Sequence, residues 1–183
     1  MSQRLRFSTA REVFEAFPAA VEDMVATPTD RPSLEFLAGL VAGPTPEDAI
    51  TFCAYLLPRR EAVWWGFQCL NHRPELLTAE DRVMLAVAEA WVRRPEEEQR
   101  NAALESGLAS PTKTPGAWIA LAAGWSGGSM LAADEAAIAP PPYLTPKAVN
   151  AGVLSALARV ERNARASTLR LFADMGGQLA ART

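Results

Sequence analysis

Reactive side chains are scarce in this chain of 183 residues, which holds two cysteines, one histidine and only two lysines, Lys113 and Lys147. Two cysteines, Cys53 and Cys69, are too few for a disulfide framework and read as reduced thiols. With His72 they are the only soft metal ligands. Cys69-x-x-His72 has workable spacing, but a fourth ligand would have to be a carboxylate, so no metal or cofactor is expected. β-Branched residues are sparse and apolar–polar alternation is missing, which leaves no convincing strand. No apolar run approaches the roughly 20 residues that span a bilayer. The opening "MSQRLRFSTAREVFEAF" has early arginines with no uninterrupted apolar region behind them, so it does not read as a secretion signal, and a cytoplasmic location is expected.

Charge of one sign is also lacking. A formal charge of −3 and a pI near 5.3 offer no basic face for nucleic acid, because the arginines are interspersed with acids. What the chain has is apolar surface: 49% of its residues are hydrophobic and 21% charged. That is too apolar for disorder. Alanine is spread along the whole length, and it loses no side-chain entropy in a helix. The fold expected is all-α.

Helix-start signals recur. Thr45-Pro46, Thr78-Ala79-Glu80-Asp81, Thr114-Pro115 and Thr145-Pro146 each offer a threonine N-cap, three of them with proline at the first helical position. Ser8 or Thr9 followed by Glu12 is a weaker capping signal. Helices are expected near 9–17, 19–26, 33–42, 46–57, 59–72, 79–93, 96–109, 115–124 and 146–175. The expected arrangement is a single domain of helical hairpins. Residues 1–44 form its N-terminal helices, 45–125 a hairpin core, 126–145 a Gly/Pro-rich crossover and 146–183 a long last helix. The caps lie 33, 36 and 31 residues apart, a period in the range of helical-hairpin repeats. The stretches behind them share little, so an irregular domain is preferred over a short α-solenoid.

The stretch "LPRREAVWWGFQCLNHR" poses a packing question. On a helical wheel Ala62, Val63, Gly66, Phe67, Cys69 and Leu70 make one broad apolar arc, and Trp64 and Trp65 fall on its two shoulders. Either flanking helices take one ring each, or one ring stays exposed as a partner anchor. Two candidate partner faces follow: Arg59, Arg60, Trp64 and Trp65, and, further on, Trp118, Trp125 and Tyr143. Pro140-Pro141-Pro142 favours an extended crossover, with Tyr143 and Leu144 tucking back onto the helices. A proline-motif ligand is the sharper reading of that segment, but it lacks flanking basic residues. In the last helix, the spacing of Leu171, Met175 and Leu179 suggests packing on its own domain or a homodimer contact.

Gly124-Trp125-Ser126-Gly127-Gly128 fits G-x-S-x-G by letter. The motif has meaning between a strand and a helix with a later acid and histidine, and here the sole histidine lies upstream. Its glycines more simply end a helix, one of them left-handed. Ser126, Gly127, Gly128 and Ser129 are also candidates for an anion-binding loop, the alternative function. Glu96-Glu97-Glu98 complements a helix dipole and needs no catalytic explanation.

Three stretches taken together, "LPRREAVWWG", "GAWIALAAGWSGGSM" and "PPPYLTPKAV", resemble an uncharacterised family of bacterial helical proteins sometimes encoded beside type VI secretion genes. The resemblance spans roughly 45–160, leaving 1–44 and 161–183 outside, and it denotes no reaction. It implies an accessory role in secretion, as an adaptor or chaperone that binds another protein. No catalytic residues are expected, and a toxic enzyme is the least favoured reading.

Overall fold

The computed structural model describes residues 5–131 and 136–183. Among them lie ten α-helices and no strand, in agreement with the all-α expectation. In chain order these are α1 (Ala10–Ala16), α2 (Ala20–Asp23), α3 (Ser33–Val41), α4 (Glu47–Leu56), α5 (Arg59–Asn71), α6 (Ala79–Arg93), α7 (Glu97–Ala109), α8 (Pro115–Gly124), α9 (Leu144–Ala158) and α10 (Arg162–Ala180). A 3₁₀ turn at Pro74–Leu76 joins α5 to α6. The chain divides into two compact units: Met1–Pro58 with Val160–Thr183, and Arg59–Arg159. This division runs across the hairpin core expected at 45–125 and across the expected last helix.

The first unit is organised around α4. Every residue from Asp48 to Leu56 is buried, as a helix apolar on all sides requires. Phe52 on α4 meets Phe36 of α3 at 4.9 Å between ring centres and Phe14 of α1 at 6.4 Å, while Tyr55 meets Phe17 at 5.4 Å. The polar ends are satisfied locally. The Asp48 carboxylate accepts from the Val25 and Ala26 amides at 3.0 and 2.8 Å, and the Tyr55 hydroxyl donates to Asp23 at 2.5 Å. Thr9 caps α1 by accepting from the Glu12 amide, and Glu12 accepts in return from the Ser8 amide. The weak capping signal thus marks a real helix start. The helix expected at 19–26 is shorter, four residues long, because Met24 is already extended.

α10 packs on α3 and α4. Its buried face is Leu169, Phe172, Ala173, Gly176 and Ala180, with Thr168 bonded back to the Ala164 carbonyl. Leu171 lies off that face and is 38% exposed. The helix expected near 146–175, whose polar stretch "ERNARASTLR" left open either a break or an exposed middle, breaks at the start of that stretch into two helices. Glu161 takes an extended backbone (φ −52°, ψ 141°), and α10 starts afresh at Arg162.

In the second unit α8 is the centre, packed by α5, α6, α7 and α9. Its residues are buried apart from Trp118, which is half-buried. Neighbours approach closely where glycine permits. A Cβ on Gly66 of α5 or Gly152 of α9 would sit 2.7 or 2.8 Å from the Ile119 Cδ1 of α8, so that both helices close onto one isoleucine.

Two of the four threonine caps act as expected: Thr78 accepts from the Asp81 amide and Thr114 from the Ala117 amide. Thr145 does not cap. It is buried in the first turn of α9 and its hydroxyl donates to the Ala122 carbonyl at 3.3 Å. At Thr45 it is the backbone carbonyl that accepts from the Asp48 amide, and Pro46 stands at the N-cap.

Candidate functional site

The tryptophan pair resolves into two different environments. Trp65 is fully buried alongside Ala62, Val63, Gly66, Cys69 and Leu70, so the core arc of α5 is rotated toward it. Phe67, assigned by the wheel to the core, lies instead on the opposite shoulder and is half-buried. There Trp64 stacks on it, with ring centres 5.1 Å apart and an interplanar angle of 12°. This stack belongs to one wall of an open groove of about 460 Å³. Pro74 and Leu77 lie at one end, and Arg82, Leu85 and Glu89 of α6 form the facing wall.

The groove's charges are unequal. Glu89 already accepts from Arg93 one turn on, at 2.7 and 3.0 Å. Arg82 donates one N–H to the Pro74 carbonyl at 2.9 Å and has no carboxylate partner among the described residues. Arg82 is exposed on the groove rim, and its remaining guanidinium N–H groups are left for solvent or a ligand.

Arg59 and Arg60 do not line this groove. Arg60 Nε donates to the Val92 carbonyl at 2.8 Å, satisfying the end of α6, and Arg59 Nη1 donates to the Ser126 carbonyl at 2.8 Å. The remaining aromatics are dispersed: Trp118 is half-buried on α8, Trp125 Nε1 donates to the Met130 carbonyl at 3.3 Å, and Tyr143 is 38% exposed with the Lys147 ammonium 5.5 Å from its ring centre. No ring pair joins these three among the described residues.

The 124–129 loop is built as a set of carbonyls turned toward arginine. Arg100 of α7 is 5% exposed. Its Nη1 donates to the Gly124 and Ser129 carbonyls at 2.6 and 3.1 Å, and its Nε and Nη2 grip Glu97 at 2.7 and 2.6 Å. The guanidinium in turn holds the Glu97 carboxyl below its ordinary range, against a smaller effect of burial. Gly128 is left-handed (φ 59°), and a Cβ there would strike the Arg100 guanidinium. Ser129 Oγ accepts from the Leu131 and Ile138 amides at 3.1 and 3.2 Å, and the Ser126 amide donates to Ala123. The loop's polar groups are largely spent on holding its own shape.

A buried carboxylate, Asp81, is the residue that sequence reasoning left as a mere helix start. Its Oδ2 accepts from Thr78 and, at 2.7 Å, from Arg159 at the end of α9; its Oδ1 accepts from the Gly116 amide at 2.8 Å at the start of α8. Burial would raise this carboxyl, but the Gly116 amide, Arg159, and the Thr78 and Thr114 groups outweigh it and hold it at about 2. The signal available in the sequence was the capping box Thr78-x-x-Asp81.

Both cysteines are buried, Cys53 in the first unit and Cys69 in the second. Among the described residues no group of three histidines, cysteines or carboxylates is placed to hold a metal ion, and no helix is long and apolar enough to cross a membrane.

These features define an all-α protein of two compact units, with an arginine-pinned loop and an aromatic groove in the second. The chain belongs to a family of unknown function, DUF6931, whose sequence profile matches residues 36–180. The match runs from α3 to the end of α10 and fits the expectation of an uncharacterised family. No curated protein and no solved structure matches the chain.

Proposed function

We propose that this chain is a non-enzymatic protein-binding protein whose second unit takes a peptide segment of a partner in the groove between α5 and α6. The observation that carries this reading is the parallel stack of Trp64 and Phe67, two adjacent rings left half-buried together on a groove wall. Aromatic anchors of this kind dominate binding energy where a partner side chain can cover them. Arg82, with no carboxylate partner among the described residues, supports a particular partner chemistry: an aliphatic or aromatic side chain against the stack, with a carboxylate next to it for the guanidinium.

The resemblance to bacterial helical proteins encoded beside type VI secretion genes supports a finer reading. On it, the partner is a secretion component or effector, and the protein serves as a cytoplasmic adaptor or chaperone. The groove supports binding; the secretion assignment rests on the resemblance.

Panning a random peptide library on the immobilised full chain tests the groove. Selected peptides are expected to share an apolar residue beside Asp or Glu, and to lose at least about tenfold in affinity for Trp64→Ala and for Arg82→Glu. Selected peptides with no such pattern, or with the same affinity for either variant as for wild type, overturn the proposal.

A further inference from the structure

We infer that the chain self-associates as a two-fold dimer through the face of the first unit formed by α3 and α10. Between these helices runs a groove of about 460 Å³ whose α3 wall is apolar, contributed by Leu34, Ala38 and Val41, with Gly177 of α10 beside them. On the α10 side the rim carries Arg170 and Asp174. Both are exposed, and neither makes an ion pair with the other or with any other described residue. Arginine four residues before an acid is also the weaker order for a pair along one helix, so helix stability does not account for them.

Their spacing fits a second copy of the same face. Two antiparallel α10 helices related by a two-fold axis level with Phe172 place Arg170 of each copy opposite Asp174 of the other. One operation forms two ion pairs, the reciprocal pattern that an isologous interface requires. The same axis sets Ser167 opposite Gly177 of the second copy, and both are small enough for the helices to approach closely. It also keeps the two α3 helices on one side of the α10 pair. The two grooves then close on each other as a four-helix arrangement that covers Leu34, Ala38 and Val41 in both copies. The apolar stripe of Leu171, Met175 and Leu179 is not the seam; the rim one position away from it is.

The arrangement makes a charge-swap test decisive. Sedimentation velocity on the full chain over about 1–100 µM is expected to show a reversible dimer with micromolar dissociation constant. Arg170→Glu alone and Asp174→Arg alone each create two like-charge contacts and are expected to weaken it at least about tenfold. The double variant Arg170→Glu/Asp174→Arg restores both pairs and the dimer. An equimolar mixture of the two single variants forms a heterodimer, although neither associates alone. Both positions are exposed, and unchanged far-UV circular dichroism checks the fold of each variant. A wild-type chain that stays monomeric throughout overturns the inference. So does a dimer insensitive to the single changes, or one that the swap and the mixture fail to restore.

Discussion

Asp81 and Arg159, 78 residues apart in the chain, meet at 2.7 Å in the second unit, where one carboxylate holds the start of α6, the start of α8 and the end of α9 together. The side chain of Asp81 is wholly buried and that of Arg159 is one-third exposed. Replacing the carboxylate by an amide leaves the Arg159 cation without its anion and puts an NH2 group where one of the amide or hydroxyl donors was received, a loss of about 3 kcal/mol, at the low end for a buried pair because Arg159 is partly exposed.

Asp81→Asn should therefore lower the stability of the chain by about 3 kcal/mol at neutral pH, read from urea unfolding. The acid dependence follows from the sign of the shift. The folded carboxyl lies at about 2, below the ordinary carboxylate range, so its contribution is full above about pH 4 and is lost as pH falls through about 2. The gap between wild type and Asp81→Asn should be widest above pH 4 and shrink below pH 3. A gap that is constant with pH contradicts this role.

Gly128 and Arg100 make a second prediction. Gly128→Ala forces a side chain into the left-handed region and against the guanidinium, at a cost of about 1–2 kcal/mol or more. Arg100→Met leaves the Gly124 and Ser129 carbonyls without their donor and should cost about 3 kcal/mol. The two losses should be less than additive in the double variant, because both changes act on the same contact. Strict additivity in a thermal or urea cycle would show that the loop is not held through this arginine.

The thiols provide a third. Burial, with Asp174 adding to it, pushes the Cys53 thiol upward from its ordinary value, and its Sγ faces the Ala173 carbonyl at 3.8 Å. Cys69 is likewise buried. The Cys53 thiolate is thereby disfavoured at neutral pH, and burial keeps both sulfurs from reagents in the folded chain. Ellman's reagent should find both thiols unreactive in the native protein and both reactive in denaturant. Stoichiometric reaction of either one within the mixing time, without unfolding, contradicts the packing described.

The elements were largely legible because their determinants are local. Thr78 and Thr114 cap where the threonine grammar places them, and the all-apolar stretch of α8 reads as a central helix. Other features depend on residues far away in sequence. Asp81 looks like the third position of a capping box; its ties to Gly116 and Arg159 lie 35 and 78 residues off. The break between α9 and α10 has no proline or glycine to announce it, only the extended backbone of Glu161. Thr145-Pro146 misplaced a boundary because proline is tolerated anywhere in the first turn, and the helix had already begun at Leu144. At the candidate site, the wheel placed both tryptophans on shoulders of α5. Which shoulder a neighbouring helix covers is a tertiary fact, and it went to Trp65, leaving Phe67 outside with Trp64.

That split between adjacent rings gives the most direct test of binding at the α5–α6 groove. A peptide selected on the full chain is titrated calorimetrically into wild type and Trp64→Ala, with urea unfolding of the variants, including Trp65→Ala, alongside. The account predicts that Trp65→Ala costs about 3–5 kcal/mol of stability. Trp64→Ala should cost far less, yet weaken peptide binding at least about tenfold. Undiminished binding to a folded Trp64→Ala chain would contradict it.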